Sequence, residues 1–471
     1  MSELRSTGNG RHGPVPASMH RSIASRRGAD AVAMLTVYLV LLFAIPSSVT
    51  ISALGSLGRP SMLWGIVMLG WWAISRLQAR DVDVRPVTQP VRMFFIVLFV
   101  IALVSFAAAM LRGQPEDQIS PAYTALIRLL SWAGVLFVTI DGVRTRDNLS
   151  RLVRRIAMGA GFLALLGIVQ FISGQPIVDV FGTIPGLSGG DVDIAARGGL
   201  ARAPGTATHP LEFATALNAS LPLIIAAAIS HGFRTGRKTH ALRWWVPVGL
   251  VSITALLGVS RSAIIGFALA IVSMVPVLPR RSRGLVIVGG VVISAVLVAA
   301  VPGLFKTRMT VFTGAGSDPS TQSRTNGLDR APEFIGASPA FGAGFGTFLP
   351  RYYIFDNQWV LIAVELGLLG LAAFVALFAA AIWSALSARR MSTDPDTRLL
   401  GYALAASIVT VAVLFAFFDG LSFPISGGLL FMLLGLCASI RTIALSNLEH
   451  TARPARSAGD RGRTPSADRD A

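Results

Sequence analysis

The chain has 471 residues, 53% of them apolar and only 14% charged, with a mean hydropathy of +0.64. Soluble domains carry about a quarter charged residues, so a water-soluble enzyme and a disordered chain are both excluded. A disulfide scaffold is excluded too, because Cys437 is the only cysteine and has no partner within the chain. What remains is an all-α, polytopic membrane protein.

An apolar run of about 20 residues is long enough to cross a bilayer. In chain order such runs fall at 31–49, 61–77, 91–111, 121–140, 153–174, 211–230, 244–259, 262–278, 284–302, 359–387, 399–418 and 421–440. Each is expected to be a spanning helix, twelve in all. The first is longer than a signal-peptide core and is read as a span. The run at 244–259 is short, and the one at 359–387 is long enough to tilt. The expected organisation is one transmembrane bundle over 31–445. The flanking tails, 1–30 and 446–471, are rich in Arg, Ser, Gly and Pro and read as disordered.

The net charge is +17, from 41 Lys+Arg against 24 Asp+Glu. Position decides what that charge is for. With residues 1–30 placed in the cytoplasm, 30 of the 41 cations fall in the tails and inner loops, ten fall outside, and Arg128 lies within a span. This bias fits the positive-inside rule. It predicts both termini inside and gives no reason to expect a nucleic-acid partner.

The outer face departs from the trend. Two outer loops are long, 175–210 and 303–358, and long loops are often functional. The first carries Arg197 and Arg202. The second carries Lys306, Arg308, Arg324, Arg330 and Arg351. Arg261 sits at a tight outer turn, Gly258-Val259-Ser260-Arg261-Ser262. Such arginines are either solvated, snorkelling charges or an anion clamp, because guanidinium makes bidentate bonds to phosphate and stays charged when desolvated. Arg261 is the strongest clamp candidate, since its turn is too short to swing it into bulk water. Arg128 is either a second buried partner or a structural pair for a helix end. A short surface helix is expected around 324–336.

Three stretches carry a family resemblance. The first is Arg202-Ala203-Pro204-Gly205-Thr206-Ala207-Thr208-His209-Pro210-Leu211-Glu212. The second is Ser260-Arg261-Ser262. The third runs from Ser323-Arg324 through Pro339-Ala340-Phe341-Gly342-Ala343-Gly344 and Asp356-Asn357 to Glu365-Leu366-Gly367-Leu368-Leu369-Gly370. In this order, over about residues 195–375, they resemble the O-antigen ligase and O-antigen polymerase superfamily of bacterial envelope enzymes. Leu211 stands where that family often has Asn. Asp356 stands where its ligases place a histidine thought to act in catalysis, and polymerase-like members more often show Asp-Asn. The resemblance therefore implies a polymerase rather than a ligase.

It further implies a multi-pass enzyme of the bacterial cytoplasmic membrane. That enzyme would join glycans carried on undecaprenyl diphosphate to an acceptor sugar, with membrane lipid and chain-length regulators as partners and no cofactor. Negative charge develops on the leaving diphosphate, so preorganised cations there are the largest expected catalytic contribution. Arg261 and Arg324 are the first candidates, with Arg202, Arg197 and Arg351 as substrate-binding arginines. Asp356 is the positional candidate for a general base; it reads equally as a cap for the helix expected from 359, with Asn357 assisting. His209 stands at a span entrance as a substrate contact or a structural residue. Glu212 is read as substrate-binding through an arginine, or as a packing group like Glu365. Asp191-Val192-Asp193 has the form of a divalent-metal pair. Asp81-Val82-Asp83 repeats that form on the inner side, so the pattern is weak, and no metal is assigned. A twelve-span transporter is the alternative from another class; it would place ionisable groups near midplane.

Overall fold

The computed structural model describes residues 17–78, 88–189, 195–197, 200–233, 242–258, 260–280 and 319–459, with short pieces between 283 and 292. Helices α1 (Ala17–Ala44), α2 (Pro60–Gln78), α3 (Pro90–Leu111), α4 (Glu116–Gly142), α5 (Arg146–Ser173) and α6 (Pro210–Ile229) form the first half. Then come α7 (Leu242–Leu257), α8 (Arg261–Met274), α9 (Pro319–Ala337), α10 (Gln358–Met391), α11 (Pro395–Leu414) and α12 (Pro424–Gly459).

The chain marks many of these boundaries locally. Proline stands in the first turn of α3, α6 and α11, where its missing N–H costs nothing. Thr145 caps α5 by accepting from Asn148 N at 3.2 Å, and α5 ends on Gly174 in the left-handed region. Asp394 caps α11 through Thr397 N at 2.9 Å.

Among the described residues, seven helices are long and apolar enough to cross a membrane, and three shorter apolar helices start at Asp30, Arg243 and Arg261. Helix α2 covers the second expected run. The ninth, 284–302, lies largely outside the described residues, as do 1–16 and 460–471 of the expected tails and Asp81, Asp83, Asp191, Asp193, Lys306 and Arg308. Helical backbone begins at Ala17 and continues to Gly459, so it extends into both segments read as tails.

Helix α6 is the hub. Every residue from Leu211 to Ala228 is buried, against α5, α7, α8 and α11. Helices α2 and α4 press together through small residues: a Cβ on Gly65 would lie 2.1 Å from Ser131 Oγ, and one on Gly134 would lie 2.1 Å from the Gly65 carbonyl. Apolar side chains such as Ile96, Val100 and Val104 on α3, and Phe162, Val169 and Ile172 on α5, face outward, as a lipid-facing surface requires.

Strand content is slight. Thr50–Ile51 pairs antiparallel with Leu187–Ser188, and Ala195–Arg197 pairs with Leu200–Arg202. The first pair ties the loop after α5 to the link between α1 and α2. The starts of α2, α6, α8, α10 and α12 and the ends of α1, α5, α7 and α11 all lie at this end of the bundle, and the arginine-rich segments gather there.

Candidate functional site

The segment before α6 is pinned on two sides. Gly205 takes φ +64 and is gripped by Gln170, whose amide accepts from Gly205 N at 2.8 Å and donates to Gly205 O at 2.9 Å. A side chain there would strike Phe213, which explains the glycine. Thr206 Oγ1 donates to Phe43 O at 2.9 Å, and Thr206 O accepts from Ser47 N at 2.8 Å. The turn thus fixes Arg202, at the end of its short strand, relative to His209 at the helix start.

His209 caps α6: its Nδ1 accepts from Leu211 N at 3.1 Å. That bond leaves the ring proton on Nε2. Burial, then the charges of Arg202 and Arg324, hold the imidazole down at about 4. The ring is neutral at neutral pH and presents an N–H donor. Phe423 packs against it, with ring centroids 5.4 Å apart.

Arg261 opens α8 directly after Ser260. It is half-buried and its NH2 donates to Thr321 Oγ1 at 2.7 Å. Thr321 lies one turn before Arg324 on α9, so α9 carries one arginine and holds the other. Arg324 NH2 donates to Phe417 O at 2.9 Å, with the guanidinium 5.8 Å from the Phe417 ring centroid. Arg324 is also close enough to act electrostatically on both His209 and Asp356. Residues from the segments before α6, on α9 and before α10 therefore share one locus.

Asn357, not Asp356, caps α10: its Oδ1 accepts from Trp359 N at 3.0 Å and Val360 N at 3.3 Å. This relieves Asp356 of the capping role. Asp356 takes φ +48, an uncommon state for a residue with a side chain, and its carboxylate makes no hydrogen bond or ion pair among the described residues. Burial raises the carboxyl above its ordinary range, and Arg324 opposes the rise. Asp419, in the turn between α11 and α12, accepts from Asn357 N at 3.1 Å. Burial pushes its carboxyl up to about 6; the Asn357 bond resists, and the Asp356 charge adds to the rise. Gln358 ties the same turn down, donating from its backbone to Phe415 O at 2.8 Å and accepting from Leu421 N at 2.7 Å.

The two glycine motifs of the third stretch meet each other. Helix α10 breaks at Gly367, with φ 70 and ψ −173, which frees carbonyls for the crossing loop. Ala343 N donates to Val364 O at 2.8 Å, Gly344 N to Glu365 O at 3.1 Å, and Leu368 N to Pro339 O at 2.8 Å. A Cβ on Gly342 would lie 2.3 Å from the Glu365 carbonyl carbon, and one on Gly367 would lie 2.3 Å from Ala340 O. These motifs supply a backbone crossing, and the crossing sets the loop that leads to Asp356.

The remaining sites named from sequence lie elsewhere or are engaged. Glu212 is fully buried. One oxygen accepts from Ile425 N at 2.8 Å; the other accepts from Ser47 Oγ at 3.1 Å, Thr208 N at 3.0 Å and Thr208 Oγ1 at 3.1 Å. It pins three segments together, and among the described residues no arginine is hydrogen-bonded to it. Arg351 is exposed, paired with Asp117 and stacked on Tyr352, whose hydroxyl accepts from it at 2.9 Å. Only the backbone of Arg197 is described, opposite Leu200. No group of three His, Cys, Asp or Glu suited to a metal occurs among the described residues. Asp419 was not singled out from sequence; the available signal was an acid in a short connection on the arginine-rich face.

An apolar crevice runs between α5, α6, α7 and α8, lined by Phe171, Phe213, Leu217, Ala255 and Leu257, with Arg202 and Ser260 in its wall. A cation thus borders an apolar crevice at the bundle end, an arrangement suited to an anionic headgroup on an apolar tail.

Residues 246–375 match the family model described as O-antigen ligase. The match covers most of α7, all of α8 and α9 and the first half of α10, including Arg261, Arg324, Asp356 and both glycine motifs, while Arg202 and His209 precede it. No curated protein matches the chain.

Proposed function

We propose that this chain, a membrane glycan-joining enzyme of the O-antigen ligase superfamily, polymerises oligosaccharide repeat units carried on undecaprenyl diphosphate. The work would take place at the outer face of the bacterial cytoplasmic membrane, with twelve spans and both termini inside. The observation that carries this reading is the approach of Arg324 to both His209 and Asp356, beside a crevice with Arg202 in its wall.

In the proposed reaction the acceptor hydroxyl attacks the anomeric carbon of the donor glycan. The carbon–oxygen bond to the diphosphate breaks, and lipid diphosphate leaves with the electron pair. Arg261 and Arg324, with Arg202, bind the departing diphosphate, whose charge grows as the bond breaks; losing one such donor typically costs about 2.7–4 kcal/mol of barrier. His209 is neutral and donates from Nε2 to an oxygen of the same group. Asp356 takes the proton of the acceptor hydroxyl. Its carboxylate has free lone pairs, and burial raises its basicity. Asp419 holds Asn357 in place and so positions Asp356. The crevice between α5 and α8 takes the first part of the polyprenyl chain. Holding both glycans at one surface supplies much of the remaining acceleration.

Asp356-Asn357 favours the polymerase over a ligase, which shares the donor chemistry and differs in acceptor. The test is reconstitution in vesicles with purified lipid diphosphate-linked repeat unit. A ladder of products growing by one repeat unit supports the polymerase. A single transfer to another acceptor supports the ligase, and movement of the lipid across the bilayer with no glycan joined supports a transporter.

A further inference from the structure

Two arginines at the same end of the bundle take no part in the donor site described above. Arg59 immediately precedes Pro60, the first residue of α2. Arg128 projects from α4, its NH1 donating to Ser422 O at 3.2 Å and its guanidinium lying 5.6 Å from the Trp132 ring centroid. The fold brings them together. Helices α2 and α4 meet at Gly65, Ser131 and Gly134 with no room for a Cβ, and Ser56 Oγ lies 3.2 Å from Thr124 Oγ1 just above that contact. The two guanidinium groups are close enough to act on each other as like charges.

That repulsion is not offset by contact. Neither arginine forms an ion pair among the described residues, and the Nε of each is buried without a hydrogen-bond partner. The acids that feel them are committed. Glu212 accepts four hydrogen bonds from Ser47, Thr208 and Ile425, and Glu365 accepts from the backbones of Gly346 and Phe348. Bringing like charges together in a partly desolvated place is costly, and two guanidinium forks present the donor pattern that phosphate oxygens match. The location adds a second argument. The turn from Asp419 to Ile425 holds Asn357 at its start, packs Phe423 against His209, and offers Ser422 O to Arg128. Arg59 and Arg128 therefore flank the donor site across one short turn.

We propose that Arg59 and Arg128 form a second phosphoanion subsite, which takes the diphosphate of the lipid-linked acceptor. The inference rests on the polymerase reading, in which donor and acceptor are both lipid diphosphates and two headgroups must be held at once. A ligase using a different acceptor has no need of a second diphosphate clamp.

Native mass spectrometry of the full-length protein with a short-chain prenyl diphosphate tests it through stoichiometry. The unmodified protein is expected to bind two equivalents. Arg59→Gln/Arg128→Gln is expected to bind one, and Arg59→Lys/Arg128→Lys to keep the second, at least in part. Arg261→Gln/Arg324→Gln should also bind one, the other one. Should the double glutamine variant fail to fold, Arg59→Gln alone serves, because the Arg59 side chain makes no hydrogen bond among the described residues; a second-site affinity at least ten-fold weaker is expected. Two equivalents retained in Arg59→Gln/Arg128→Gln, or one equivalent in the unmodified protein that this variant still binds, would overturn the subsite and leave the donor site standing. Two equivalents retained in Arg261→Gln/Arg324→Gln would instead overturn the donor reading. Inorganic pyrophosphate is the control arm: binding at the second site as tight as that of the prenyl form would mark a soluble ligand and overturn the lipid acceptor.

Discussion

The backbone N–H of Asn357 donates to the carboxylate of Asp419 at 3.1 Å, across a gap of 62 positions in the chain. This bond fixes the start of α10 to the turn before α12 and sets two acids, Asp356 and Asp419, on either side of one asparagine. Asp356 is left with free lone pairs in the field of Arg324, and Asp419 is left carrying the structural bond.

Asp419 gives a pH signature. Its carboxyl is pushed up to about 6, against about 3.9 for a free aspartate. The folded state therefore favours the protonated form. The resulting contribution is present in full below pH 4 and lost as pH rises through 6. That displacement corresponds to about 2–3 kcal/mol before solvent screening. His209, held down at about 4, acts with the opposite sign, losing stability as pH falls from about 6.5 through 4. Comparing Asp419→Asn with the unmodified protein cancels the His209 contribution. The thermal midpoint of the variant, relative to the unmodified protein, should rise between pH 4 and 7. A constant difference across that range would contradict the assignment.

Asp356→Asn should lower the turnover rate by about 10²- to 10⁴-fold, the usual range for loss of a general base. Folding should be kept, because asparagine tolerates the left-handed backbone and no hydrogen bond is lost. Ladder formation in vesicles and the melting temperature, measured on the same preparation, check both halves. A variant with normal turnover would remove Asp356 from the reaction.

Arg324→Gln should cost about 10²- to 10³-fold in rate, as expected for one preorganised donor to developing charge. Arg324→Lys should recover part of it, since charge returns without the planar fork. Arg351→Gln should change the rate little, because Arg351 is exposed and engaged with Asp117 and Tyr352. Initial rates at saturating lipid-linked substrate separate these cases.

Much of the helical frame was legible from the apolar runs, since a spanning helix writes its length into composition. Which arginines converge was less legible. Arg351 and Arg324 look alike in one loop, and only the fold sends Arg324 to Phe417 and Arg351 to Asp117. In the sequence Asp356 reads as a cap, with Asn357 assisting, or as a base; the bonds from Trp359 N and Val360 N to Asn357 Oδ1 give the cap to Asn357. Asp419 could not be weighed at all, because its relation to Asn357 exists only once α10 and α12 are packed. Gly205 and Gly342 both take positive φ, a local requirement that glycine meets. That Gly342 and Gly367 pack against each other's segments is a tertiary fact no spacing reveals.

Gly367→Ala should be severely destabilising, by about 2–4 kcal/mol. It sets a side chain at φ +70 and drives a Cβ to 2.3 Å from Ala340 O. Gly336→Ala, on the exposed surface of α9 with open space around it, should be neutral or slightly stabilising. Folded yield after solubilisation and the thermal midpoint distinguish the two.

The most direct test of the account is a structure of the protein with a polyprenyl diphosphate bound. The diphosphate should contact the guanidinium groups of Arg261 and Arg324, with His209 Nε2 aimed at it and the chain entering the crevice between α5 and α8. A diphosphate bound elsewhere, with Arg261 and Arg324 turned away from it, would contradict the account.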